Sequence, residues 1–215
     1  MRSGDTQTIQ FPFSTHVPTS DHAVYLSAAK PREQREKILG TAATPHKVRL
    51  LFAVLYSDTT QIEEIFTLLD REFGKRDHQY GPVPFSWTEY YSDEMGTALR
   101  KVYFSYTDAI ERDRLPSIKN LTNTIERQYA GPEGNRTVNI DPGYVARDKV
   151  VLATTKDFYH RLYLADGIFG EVTLHYRKGR FRYFSWTYPD FRNPEVMRFL
   201  ERIRAPLVQQ LRRNS

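Results

Sequence analysis

The chain has 215 residues, with 31 Lys+Arg against 26 Asp+Glu, no cysteine and 40% hydrophobic residues. That length suits one domain with at most an appendage, and the balance of core and surface residues excludes wholesale disorder and collagen-like or disulfide-stapled scaffolds. Without cysteine there is no thiolate catalysis, cysteine-ligated zinc, iron–sulfur cluster or disulfide. No apolar run approaches the ~20 residues of a membrane span, and residues 1–40 lack the apolar core of a signal peptide. The reading is a cytoplasmic globular protein with no membrane partner. The formal charge of +5 and pI near 9.3 hint at an anionic partner. The excess is uneven: 15 Lys+Arg and 8 Asp+Glu follow Asn135, against 16 and 18 up to it.

Residues 1–46 are rich in Ser, Thr and Pro, with one short helical stretch from Pro31 to Leu39, and read as a polar, partly flexible extension to a single domain over 47–215. That domain opens with Val48 to Tyr56, an apolar run fit for a strand buried on both faces. Asp58 then offers a helix cap, Gln61 answers it, and Ile62, Ile65, Phe66, Leu69 and Phe73 keep helical spacing until Gly74. Gly81-Pro82 and Pro84 mark 75–84 as a loop. Strands are expected from Phe85 to Tyr91 and from Leu99 to Tyr106, and a helix from Pro116 to Tyr129, stopped by Gly131-Pro132. A short extended piece, Thr137 to Ile140, runs into a turn at Asp141-Pro142-Gly143-Tyr144, and Lys149 to Thr155 is a further strand. The last helix starts at Asn193-Pro194, carries Val196, Phe199, Leu200 and Ile203 on one face, and should kink or end at Pro206.

Two turn words fix a register. Asp166-Gly167 and Lys178-Gly179 each suit a two-residue type I′ hairpin, giving a meander of His160–Ala165, Ile168–Arg177 and Arg180–Trp186. Pairing outward sets Ala165 opposite Ile168, His160 opposite Thr173, Arg177 opposite Arg180 and His175 opposite Arg182. Ile168, Gly170, Val172, Leu174 and Tyr176 then form a core face, while Glu171, Thr173 and His175 share a polar face with His160 and Arg182. The elements together define an α+β fold, a mixed and mostly antiparallel sheet with helices packed on one face. A three-layer α/β arrangement is the alternative, because the first strand is apolar on both faces.

The words Leu55-Tyr56-Ser57-Asp58, Asn139-Ile140-Asp141-Pro142-Gly143-Tyr144, Ala153-Thr154-Thr155-Lys156-Asp157, His160-Arg161-Leu162-Tyr163-Leu164 and Asp166-Gly167 together resemble the family known as domain of unknown function 4416. The resemblance runs from about Lys47 to Leu211. It implies one compact cytosolic prokaryotic domain, and supplies no activity, ligand or catalytic residue.

Chemistry is therefore read from the residues. Asp141, His160 and Glu171 are the candidate acid-base groups, and Thr155, Lys156, Arg161 and Tyr144 the candidate ligand-binding groups, because hydroxyls, cations and an imidazole on adjoining strand ends can hold a phosphate or carboxylate. Asp141 or Glu171 could also hold Mg²⁺. His160, His175 and Glu171 could approach a metal, but nothing has the spacing of a metal motif, and no metal ligand set is assigned. Dinucleotide, phosphate-loop and nucleophile-elbow fingerprints are absent. The leading reading is a site for an anionic, phosphorylated or nucleotide-like small molecule, with catalysis left open. The alternative is a nucleic-acid surface using the C-terminal hairpin, with Arg177, Lys178, Arg180, Arg182 and Trp186, and the basic last helix, where guanidinium groups pair with phosphate and rings stack on bases. A third reading is a protein-interaction domain without chemistry. The same cations could simply keep a sheet edge solvated.

Overall fold

A computed structural model describes residues 42–88 and 90–213. The helical stretch expected at Pro31 to Leu39 lies outside them. The residues from Ala43 onward form one compact unit.

The apolar run that opens this unit becomes β1 (Val48–Ser57), buried along its whole length. Because alternate side chains leave a strand on opposite faces, β1 feeds two cores at once. Leu50, Phe52 and Val54 pack with the apolar stripes of α1 (Ile62–Phe73) and α3 (Leu115–Gln128). Leu51 and Ala53 pack on the other side with Val196, Phe199, Leu200 and Ile203 of α4 (Pro194–Arg213). The sheet also contains β2 (Arg76–Pro84), β3 (Leu99–Ile110), β4 (Val138–Val145), β5 (Lys149–Thr154), β6 (Arg161–Ala165), β7 (Ile168–Arg177) and β8 (Arg180–Tyr183). A single-turn helix, α2 (Ser92–Met95), lies in the connection between β2 and β3.

The strand order is β2-β3-β1-β4-β5-β7-β6, with β8 also on β7, and every pairing is antiparallel. The fold is thus α+β. The helices, however, are not confined to one face: α1 and α3 cover one side and α4 the other, because β1 is apolar on both. β6 pairs with the first half of β7 and β8 with the second, so they lie end to end along one edge.

Several local expectations are corrected. The Gly81-Pro82 segment is not a loop but part of β2, tolerated because β2 is an edge strand, where a missing N–H leaves no ladder bond unmade. Phe85 to Tyr91 is not a strand but the start of the β2–β3 connection. Asp141-Pro142-Gly143-Tyr144 is not a turn but the middle of β4. Pro206 does not end α4, which continues to Arg213. The first helix starts later than Asp58, at Ile62, with no side-chain cap. Both hairpins form as expected, with positive φ at Asp166, Gly167, Lys178 and Gly179.

The register differs in one place. Ala165 faces Ile168, but a one-residue shift before it sets Arg161, rather than Leu162, opposite Glu171 and moves His160 off Thr173. A second irregularity, between β5 and β7, follows Val172. It turns Leu174 toward α4 while Val172 stays with Ile168 and Val151 on the α3 side. Glu171 and Thr173, expected on a wet polar face, are both buried.

Candidate ligand-binding cleft

The sheet is forked. β4 and β5 pair only at Gly143–Val145 with Leu152–Val150, and beyond that point they part. Gly143 sits at the crotch, where a Cβ would lie 2.4 Å from the Val151 carbonyl oxygen and 2.6 Å from a Leu152 methyl; only glycine lets the strands approach so closely. Past the crotch, the β4 edge has no strand beside it, and α3 supplies the missing partners. Glu126 accepts the Ile140 N–H at 2.7 Å, and Lys119 donates to the Ile140 carbonyl at 2.8 Å. Pro142, two residues on along the same edge, has no N–H to leave unpaired.

The fork opens a cleft of about 570 Å³. Its floor is the polar stripe of α3: Lys119, Asn123 and Glu126. Lys119 also lies 3.4 Å from Asp141 and 3.5 Å from Glu126. Burial raises the Glu126 pKa even with Lys119 beside it. Asn139 donates from Nδ2 to Asp141 at 2.7 Å and accepts from Arg136 at 3.0 Å. At the β3 end, Lys101 reaches Asp190 at 2.8 Å, and the Tyr103 hydroxyl donates to the same carboxylate at 2.6 Å. Burial works against the charge on Asp190, yet Lys101 and Tyr103 outweigh it and hold the carboxyl below its usual range.

The β7 wall centres on Glu171, whose side chain is 2% exposed. Arg161 reaches it through Nε at 3.1 Å, His160 through Nε2 at 3.0 Å, and Thr173 adds a longer hydroxyl bond. Arg161 also donates to the Lys156 carbonyl and to the Tyr188 hydroxyl, both at 3.1 Å. Burial and the Glu171 charge push the Tyr188 phenol up to about 12. His160 stacks on Trp186 at 5.1 Å, and Trp186 on Phe184 at 4.6 Å. The Trp186 indole N–H binds the Val172 carbonyl and the Thr187 hydroxyl binds that of Thr173, which occupies the backbone left open between β6 and β8.

Over the mouth lies the β2–β3 connection, which brings Trp87, Tyr90 and Tyr91 to the cleft. Two clasps hold it. Arg136 takes Glu94 in a two-pronged pair at 2.8 and 2.6 Å, which lowers the Glu94 pKa and raises that of Arg136. Lys156 donates to the Tyr90 hydroxyl at 2.7 Å, and that bond, with the ammonium charge, lowers the Tyr90 pKa.

Of the residues singled out in the sequence, Asp141, Thr155, Lys156, Arg161 and Glu171 line this one cleft. His160 stands behind Glu171. Tyr144 does not line the cleft: it packs into the apolar clusters beside α3, and burial raises its pKa. His175 does not approach His160 and Glu171 but faces Arg182 across β7 and β8. Among the described residues no group of three or more His, Asp or Glu converges as a metal site; Asp141 and Glu171 already accept from Lys119, Asn139, Arg161 and His160. Lys101, Lys119, Glu126, Arg136 and Asp190 escaped the sequence reading. The only sign of the α3 pair was its spacing, seven residues apart on the flank of the apolar stripe.

Fold and cleft define an all-antiparallel α+β protein whose sheet is forked around a densely charged pocket. The sequence matches the family described as domain of unknown function (DUF4416) over residues 46–206, and the chain belongs to that family. No curated protein and no solved structure matches it. No helix among the described residues is long and apolar enough to cross a membrane.

Proposed function

We propose that the cleft between β4 and β5 binds an anionic small molecule, phosphorylated or nucleotide-like. The observation that carries this reading is Lys156. The other cations of the cleft are matched: Lys101 with Asp190, Lys119 with Glu126 and Asp141, Arg136 with Glu94, and Arg161 with Glu171. Lys156, at the mouth, makes no ion pair among the described residues and holds only the Tyr90 hydroxyl. A phosphate or carboxylate arriving there gains a charge-assisted bond without first separating an existing ion pair. Thr154 and Thr155 add hydroxyls at the same strand end, and Trp87, Tyr90 and Tyr91 offer ring faces for a planar portion of the ligand. In this reading Asp141 and Glu171, with His160 behind, would exchange protons with such a ligand.

Thermal-shift measurements with nucleoside monophosphates and sugar phosphates, with and without Mg²⁺, test the reading. A ligand at a hundred times its Kd adds about 2.7 kcal/mol, or roughly 5–10 °C for a chain of this size. Lys156→Ala, an exposed change, should remove most of that shift. No stabilisation by any of these compounds, or an undiminished shift in Lys156→Ala, overturns the proposal.

A further inference from the structure

A second concavity, of about 810 Å³, is formed by the β7–β8 hairpin and the segment leading into α4. Its charge is one-signed. Arg177, Lys178, Arg180, Arg182 and Arg192 line it together with His175, and no carboxylate does. None of the five cations makes an ion pair among the described residues, in contrast to the matched cations of the cleft. The hairpin register aggravates the concentration, because Arg177 lies directly opposite Arg180. Like charges facing one another across a strand pair destabilise it.

Edge strands often carry cations that merely ward off other sheets, but two features do not suit that role. Warding charges work from the exposed surface, whereas Arg182 and His175 are half-buried, and Arg182 Nε and His175 Nδ1 are enclosed with no hydrogen-bond partner. Buried polar atoms left without a partner cost stability and give no solubility in return. Arg192, moreover, is held in position, its guanidinium donating to the carbonyls of Thr187 and Ser185 at 2.8 and 2.9 Å. It lies 5.3 Å over the ring of Tyr183, which is still 57% exposed.

We propose that this concavity is a phosphate-backbone site for single-stranded nucleic acid, with Tyr183 as a stacking platform for a base. Successive phosphates relieve the repulsion between the facing arginines, and an exposed aromatic ring beside a cationic groove is the pairing that single-strand binding uses. A compact phosphate monoester, as envisaged for the cleft, would answer only part of a charge spread over strand, turn and helix entry, so the two sites stand or fall separately.

Fluorescence anisotropy with a labelled 20-nucleotide single-stranded RNA, on the full chain at 50 to 200 mM KCl, is the test. Binding should weaken with salt along a slope of about −3 in log K against log salt, at ~0.7 per phosphate for four or five contacts. Arg177→Glu with Arg180→Glu should cost tenfold or more in affinity and flatten that slope by about 1.4, since ~0.7 is lost with each contact. The matched reversal Arg71→Glu with Arg114→Glu, on the exposed surface elsewhere, should cost much less. Tyr183→Ala should weaken binding while leaving the slope unchanged, and it keeps the test informative should the double reversal fail to fold. Absence of binding at 50 mM, or equal losses in the two double reversals, overturns the proposal. So does competition by polyglutamate as effective as that by unlabelled RNA, which would assign the surface to an acidic protein instead.

Discussion

Asp190 shows how closely single side chains are matched here. It accepts from Lys101 and Tyr103 while itself buried, so removing its carboxylate strands a buried ammonium and a buried hydroxyl together. Asp190→Ala should cost about 3–5 kcal/mol, the range for breaking one partner out of a buried pair, read from urea denaturation. A loss below ~1 kcal/mol would mean that water reaches Lys101 freely. Gly143 is constrained by space rather than charge. A Cβ there meets backbone, which cannot rotate away, and Gly143→Ala should destabilise by about 1–3 kcal/mol. Because the clash lies at the crotch of the fork, the same variant should also change ligand affinity in the cleft; stability and affinity both at wild-type levels would show that β4 and β5 can part without consequence.

Among elements, the first three sheet strands are tied by one carboxylate. Asp77 on β2 accepts from Ser105 on β3 at 2.6 Å, pairs with Arg49 on β1, and lies 3.0 Å from His78. Burial opposes its ionisation, but these partners prevail and bring its pKa to about 2. The folded value lies below the ordinary ~3.9, so the stability it contributes is complete above about pH 5 and is lost as pH falls through 4 toward 2. Urea titrations should show wild type losing of order 1–2 kcal/mol more than Asp77→Asn over that interval; parallel curves would refute the assignment. Much of the element layout was legible: the 3.6-residue periods of α1, α3 and α4, the apolar run of β1, and both hairpins from their Asp-Gly and Lys-Gly words. β2 and β4 were obscured by proline and glycine, residues that usually mark turns but here occupy strand edges where no N–H is missed. The one-residue slips on either side of β7 leave no pattern in the sequence, although they decide that Arg161 meets Glu171. For the cleft, residues on neighbouring strand ends could be grouped from their order alone. Lys101, Lys119 and Asp190 could not, because they converge from segments up to 89 residues apart, brought together only by the finished sheet.

At the scale of the whole molecule, the core clusters of the described residues draw on positions from Val48 to Ile203. A fragment spanning residues 43–215 should therefore unfold in one cooperative transition. A broad or absent transition in thermal circular dichroism would show that these clusters do not melt as one core. The chain has two tryptophans, and both adjoin the cleft: Trp87 in the segment over its mouth, 48% exposed, and Trp186 packed against the imidazole behind Glu171. The protein thus carries its own optical probe. An occupant that displaces Tyr90 from Lys156 shifts the segment bearing Trp87, so emission from a Trp186→Phe variant would follow filling of the cleft in real time, without a label and without knowing in advance which compound fills it.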